Sequence, residues 1–344
     1  MIQRVKGAIL GIALLAGIGS AADGQQVLIN GAGATFPYPM YSKWFDEYHK
    51  KVPTIAFNYG SIGSGGGIQQ VTAGTVDFGA SDAPMNDQAI KDFRDKRGMG
   101  VLHFPTVAGA DVPVYNIPGV TVQLNFTPEA LAGIFLGKIT KWNDPAIASV
   151  NSGVKLPASD IVVVHRSDGS GTTYCWVDYL SKVSKEWETK VGRGTSVNWP
   201  VGLGGKGNEA VSGTVKQQPN SLGYVELAYA KQNKMLYGKV RNSAGNFIDA
   251  SLESTAAAAN SVKDIPEDFR VSITNPSAKD AYPIATYTWL LVPEKIADPV
   301  KKKALVDFLR WMATDGQKMA PALDYVPLSK SLADRELKAI AKIQ

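Results

Sequence analysis

The stretch Ile161-Val162-Val163-Val164-His165-Arg166-Ser167-Asp168-Gly169-Ser170-Gly171-Thr172 decides how this chain is read. Ile161 to Val164 is a hydrophobic strand that delivers Arg166, and residues 172 to 182, Tyr174, Val177, Tyr179 and Leu180 among them, form the helix that follows. Between the two lie a cation, a carboxylate, hydroxyls and two glycines. Open α/β sheets bind ligands at this junction of a strand's carboxyl end and a helix's amino end. The free N–H groups and positive dipole end of the helix suit an oxyanion, and glycine lets the backbone turn further N–H groups toward it. Gly31-Ala32-Gly33-Ala34-Thr35-Phe36 and Ser61-Ile62-Gly63-Ser64-Gly65-Gly66-Gly67 make the same offer from distant parts of the chain. Three such loops converging would make a cage.

The elements around these loops read as a parallel α/β sheet. Phe36 to His49 is an amphipathic helix, with Tyr41, Trp44, Phe45 and Tyr48 at spacings of three and four. Ile55 to Tyr59 is a strand, followed by the glycine turn, a helix through Gln70 and Val71, and a strand from Val76 to Ala80 that ends at Ser81-Asp82. Val112 to Tyr115 begins a second set of elements, with Thr127 capping a helix whose first residue is Pro128. Gly223 to Glu226 is a further strand, Tyr282 to Val292 alternates into another, and Lys301 to Thr314 is an amphipathic helix. Lys301-Lys302-Lys303 reads as its solvated start.

Residues 1–22 read as a cleaved secretory leader. Arg4 and Lys6 give a basic start, Gly7 to Gly19 an apolar run, and Ser20-Ala21-Ala22 the small residues a signal peptidase requires. The run falls short of the roughly 20 apolar residues that span a bilayer. No cysteine lies near the cleavage point, so a periplasmic location is expected. The rest of the chain suits two domains. A net charge of +5, or +3 without Arg4 and Lys6, and the lack of a dense basic stripe argue against nucleic acid. Cys175 is the single cysteine, between Tyr174 and Trp176, which predicts a buried inert thiol and no intrachain disulfide.

Enzymatic readings lack parts. The three histidines, His49, His103 and His165, have no partners at metal-ligand spacing, and nothing resembles a hydrolase's nucleophile elbow. Gly202-Leu203-Gly204-Gly205-Lys206-Gly207-Asn208 lacks the Gly-Lys-Ser/Thr ending of a P-loop and reads as a structural loop at the cleft. No carboxylate pair announces acid–base work, so no catalytic residue, metal or cofactor is expected. What remains suits binding. Asp168, two residues past Arg166, is placed to pair with it and hold the guanidinium fork. Asp82 at a strand end is costly beside an anion unless the anion carries a proton to donate. Phosphate does and sulfate does not, so an Asp in the cage discriminates between them.

Seven ordered segments carry a resemblance: Gly31-Ala-Gly-Ala-Thr-Phe-Pro, Gly63-Ser-Gly-Gly-Gly, Val76-Asp-Phe-Gly-Ala-Ser-Asp-Ala-Pro, Ile134-Phe-Leu-Gly-Lys-Ile-Thr-Lys-Trp-Asn-Asp, Arg166-Ser-Asp-Gly-Ser-Gly-Thr, Trp199-Pro-Val-Gly-Leu-Gly-Gly-Lys-Gly-Asn and Gly223-Tyr-Val-Glu. Across almost all of the mature chain the sequence resembles the phosphate-binding proteins of bacterial phosphate-specific (Pst) ABC transporters. The resemblance implies an α/β, two-lobed periplasmic binding protein of type II, closing about a hinge. Lobe I would take residues 25–106 plus 285–344, and lobe II residues 107–284. It implies a phosphate site in which Ala34, Thr35 and Phe36 give backbone N–H groups and the Thr35 hydroxyl. Ser64 would donate, Asp82 accept the ligand's proton, Arg166 bind while held by Asp168, and Ser170, Gly171 and Thr172 close the cage. Gly65 departs from the pattern, since many relatives carry a second serine there. The charged stretch 86–100 has no functional reading. The implied partners are inorganic phosphate and the permease subunits of the inner membrane, met by a monomer. A secreted phosphatase, or a phosphate-sensing or adhesin protein on the same fold, is the alternative.

Overall fold

In the computed structural model, which describes residues 26–344, strands and helices alternate along most of the chain. The leader expected at residues 1–22 lies outside the described residues. Twelve strands are numbered in chain order. β1 (Val27–Gly33), β2 (Ile55–Ser61), β3 (Phe78–Ser81) and β4 (Val101–Asn116) come first. β5 (Asn125–Phe126), β6 (Val162–Arg166), β7 (Leu203–Gly205) and β8 (Ser221–Glu226) follow. β9 (Leu236–Tyr237), β10 (Lys239–Arg241), β11 (Phe247–Ile248) and β12 (Ala285–Pro293) complete the set. The main sheet runs β2-β1-β3-β12-β4-β8-β6-β7, with β9 also on β4, and β11-β10-β5 form a small second sheet.

The register explains where a site can form. β1 pairs in parallel with β2 and β3, and β6 in parallel with β7 and β8. β12 is antiparallel to both β3 and β4, so β3 runs in the same direction as β4; β8 runs against β4. Trp289 of β12 lies opposite both Ser81, the end of β3, and Pro105 of β4. Glu226, the end of β8, lies opposite Asp111 of β4. The carboxyl ends of the two parallel sets therefore face each other across the middle of β4. Ligand-binding loops belong at such ends, and here two sets of loops meet.

Packing follows the same division. One apolar cluster draws on residues between Ala110 and Ile284, with Trp142, Trp176, Trp187 and Tyr224 at its heart. A second joins the helix Tyr38–Lys51 to the helix Pro299–Met312 through Trp44, Phe45, Phe308 and Trp311. A third mixes Phe93, Trp289 and Leu332 with Ala258, Phe269 and Ala281.

Several expectations shift. The first helix opens at Tyr38, two residues late, with Pro37 at the N-cap position and Thr35-Phe36 left in the turn; Tyr41, Trp44, Phe45 and Tyr48 are on its buried face. The glycine turn after β2 is instead the start of the helix Ser64–Ala73. A Cβ on Gly67 would stand 2.6 Å from Gly33 Cα, so glycine lets that helix lie directly on β1. No break precedes Val112: β4 is one strand, buried from His103 to Tyr115. β12 is buried at all nine positions rather than alternating, since it sits between β3 and β4 with helices packed on it. Lys301 is not a free solvated charge, because its Nζ lies 3.0 Å from Asp77 Oδ1. Thr127 caps the helix Pro128–Phe135 as read, accepting from Ala130 N–H at 3.1 Å. Residues 87–97 of the charged stretch form a helix capped by Asn86 and stopped by Gly98 in the left-handed region. Among the described residues no helix is long and apolar enough to cross a membrane.

Candidate anion-binding site

The three glycine-rich loops and Asp82 converge at the middle of β4. Thr35, Ser64, Asp82, Arg166, Ser170 and Thr172 are each at most 3% exposed. Backbone and side-chain bonds tie the two sides together: Gly65 N–H donates to Gly169 O at 2.9 Å, and Gly171 N–H donates to Ser64 Oγ at 3.0 Å.

The turn after β1 is held open by tyrosines. The carbonyls of Ala34, Thr35 and Phe36 accept from the hydroxyls of Tyr59 (2.8 Å), Tyr229 (2.6 Å) and Tyr325 (2.6 Å). The three carbonyls are thus satisfied, and the Thr35 and Phe36 N–H groups remain to be accounted for. Among the described residues neither of these two N–H groups has a protein acceptor. Buried N–H groups are rarely left orphaned, so they mark an anion site. Ala34 is corrected on this point. Its N–H is already given to Ala80 O at 2.9 Å, so Ala34 anchors the turn to β3 instead of donating inward. Gly171, expected to help close the cage, is the first residue of its helix and donates its N–H to Ser64 Oγ.

Arg166 arrives on β6 with its side chain 1% exposed. Its Nε and Nη2 donate to Asp168 Oδ1 and Oδ2 at 2.8 and 2.6 Å, a bidentate fork that fixes the guanidinium plane. Burial works against both charges, but the pair outweighs it, holding Arg166 above and Asp168 below its ordinary range. Arg166 Nη1 also reaches Thr172 Oγ1 at 3.3 Å. Ser170 caps the helix Gly171–Val183 by accepting from Thr173 N–H, so its hydroxyl proton is available and the helix dipole points into the cage.

Asp82 is the carboxylate at the end of β3. Thr288 Oγ–H donates to its Oδ1 at 2.7 Å, and Ser64 Oγ lies 3.5 Å from Oδ2. Burial pushes its pKa up to about 7, against the opposing pull of Thr288 and Arg166. The arrangement offers many hydrogens and one carboxylate, which suits an anion with a single hydrogen of its own.

The PBP superfamily domain matches residues 19–316 of the chain. The phosphate-binding protein PstS of Xylella fastidiosa is 48% identical over 315 residues, spanning 91% of this chain and 85% of that protein. The chain belongs to the PstS phosphate-binding protein family. The PstS protein of Pasteurella multocida is 47% identical over 313 residues, spanning 90% of this chain and 89% of the relative. The crystal structure of the phosphate binding protein from Stenotrophomonas maltophilia, 18% identical, covers 91% of this chain and 93% of its own with a TM-score of 0.68. That likeness establishes the two-lobed binding-protein fold.

In this PstS chain, sequence reading missed Asn208, which is fully buried and bonded to Thr35 and Thr172. The segment 202–208 is therefore not a plain structural loop: it supplies β7 and the start of the helix Gly207–Gln217. The Gly-Lys-Gly-Asn run was the available signal. Gly65 also gains a reason. A Cβ there would stand 3.0 Å from Gly169 Cα, so glycine at both positions lets the two backbones meet. Sequence reading saw no carboxylate pair, yet β4 and β8 bring Asp111 and Glu226 into register. Among the described residues no nitrogen or oxygen donor reaches either Asp111 oxygen, and burial drives both carboxyls well above their ordinary pKa.

Proposed function

We propose that this PstS family member captures inorganic phosphate between two lobes and delivers it to an ABC permease of the inner membrane. It is a solute-binding protein and not an enzyme, as its curated relatives are named for binding phosphate. The observation that carries the reading is the content of the cage: buried N–H and O–H donors, one fixed arginine, and Asp82 as the acceptor. Thr35, Phe36, Ser64, Asp82, Arg166, Ser170 and Thr172 would hold the anion, with Ala34 and Gly171 shaping the walls and Asp168 steadying Arg166. Lobe I would take residues up to 106 and from 285, and lobe II the residues between, with β4 and β12 as hinge strands. The protein would work as a periplasmic monomer, exported by the leader at residues 1–22, and the bound anion would favour the closed form that the permease distinguishes.

Titration calorimetry on protein stripped of anion tests this. Phosphate should bind with a Kd near or below about 1 μM, on the order of −8 to −9 kcal/mol. Aryl phosphate should pass through unhydrolysed. No heat with phosphate, together with a clear response to sulfate, would overturn the assignment.

A further inference from the structure

Asn208 touches both threonines of the cage, and its own orientation is fixed. The Glu226 backbone N–H, which can only donate, meets Asn208 Oδ1 at 3.1 Å. The amide NH2 must therefore face the threonines. Asn208 Nδ2 lies 2.9 Å from Thr35 Oγ1 and 3.0 Å from Thr172 Oγ1, one hydrogen for each. An amide NH2 donates and does not accept, so both hydroxyls accept from it. Thr35 Oγ1 takes a second hydrogen from Asn208 N–H at 3.2 Å, and Thr172 Oγ1 a second from Arg166 Nη1 at 3.3 Å. With the oxygen lone pairs engaged, each hydroxyl proton is left to point elsewhere. Ser64 is treated the same way, accepting from Gly171 N–H at 3.0 Å and Asp82 N–H at 3.2 Å.

We propose that Asn208 is a positioning residue that turns the Thr35 and Thr172 hydroxyls into obligate donors toward the anion. This rests on the phosphate-binding reading above. Thr35 follows β1, whereas Asn208 and Thr172 stand at helix starts on the other side. The Thr35 hydroxyl is therefore locked only when the two sides are together, which couples donor polarity to closure. An anion lacking a hydrogen gains nothing at Asp82, and one with several hydrogens finds no acceptor at either threonine. Asn208 thus sharpens the preference that Asp82 begins.

The test is a cycle of phosphate titrations by calorimetry on the mature protein, Asn208→Ala, the pair Thr35→Val with Thr172→Val, and all three together. Loss of two neutral hydrogen bonds to the hydroxyls should weaken phosphate binding by about tenfold or more in the native background, and by less than about threefold where the hydroxyls are gone. The same factor in both backgrounds, or no weakening in either, would overturn the inference. Asn208→Asp is the second variant. It keeps the acceptor for Glu226 N–H but sets an oxygen where the NH2 stood, drawing the hydroxyl protons away from the anion. It should lose more affinity than Asn208→Ala at pH 8, and recover part of the loss at pH 5, where a protonated carboxyl regains one donor. A loss no greater than that of alanine would overturn the inference. Absence of phosphate binding by the unsubstituted protein would overturn the functional reading and this inference with it, whereas normal binding with equal factors overturns the inference alone.

Discussion

Gly171→Ala is expected to remove phosphate binding while leaving the chain folded. A Cβ on Gly171 would stand 2.5 Å from Asp82 Cβ and 2.6 Å from Ser64 Oγ, and against Asp82 Oδ2. Asp82 Cβ is fixed by its own backbone, and the Ser64 and Asp82 side chains are buried with little room to rotate away. Gly171 is the first residue of the helix Gly171–Val183, and alanine suits a helix better than glycine does. The substitution therefore harms only the state in which the two sides meet. When the binding-competent form is depopulated, apparent affinity falls by the same factor, here more than about a hundredfold. Calorimetry with phosphate reads the loss, and a thermal melt without anion should be nearly unchanged. Phosphate affinity within a few-fold of the native protein would mean that Gly171 does not close against Asp82 and Ser64.

Asp82→Asn is expected to admit sulfate. With Asp82 ionised, a bound sulfate would set oxygen against oxygen with no hydrogen between, whereas a protonated phosphate donates to the carboxylate. At pH 8 the asparagine variant, which carries an NH2 donor, should bind sulfate at least about tenfold more tightly than the native protein, the scale of one hydrogen bond to a charged group. The native protein should itself change with pH. Burial raises the Asp82 pKa to about 7, so the anion-free protein takes up this proton as pH falls through that value. A neutral Asp82 can donate, and native sulfate binding should strengthen from pH 8 to pH 5 while that of the variant stays flat. The stability sign agrees. A folded pKa raised above the unfolded one gives stability that is present below about pH 4 and lost as pH rises through about 7. The part of the decline due to Asp82 should be missing from the variant's melting curves, which keep the contributions of the buried Asp111 and Glu226 carboxyls. Sulfate binding unchanged by the substitution would show that Asp82 does not select the anion.

Much of this was legible because the informative residues are local. Arg166 to Thr172 show the strand-loop-helix junction and the Arg166–Asp168 pair within seven positions, and Thr127-Pro128 announce their helix by cap chemistry alone. Other parts depend on contacts between distant segments. Tyr59, Tyr229 and Tyr325 orient three consecutive carbonyls from positions up to 289 residues away, and nothing near any of them in sequence suggests that task. Asn208 reaches Thr35 across 173 residues. The resemblance makes Ala34 a backbone donor and Gly171 a residue that closes the cage. Only the pairing of β1 with β3, and of Ser64 with the helix start at Gly171, shows that those two N–H groups are already committed. The continuity of β4 was hidden for a similar reason, since its long buried run matches partners on β12 and then on β8.

In the proposed site, two sides of one chain enclose a tetrahedral anion that gives a hydrogen to Asp82. A high-resolution crystal structure of the mature protein with phosphate tests it most directly. The expected result is one anion at the middle of β4, within hydrogen-bonding distance of the Asp82 carboxylate, the Arg166 guanidinium, Thr35 and Phe36 N–H, and the Ser64 and Thr172 hydroxyls. Phosphate bound elsewhere, or bound there with Asp82 turned away from every one of its oxygens, would contradict it.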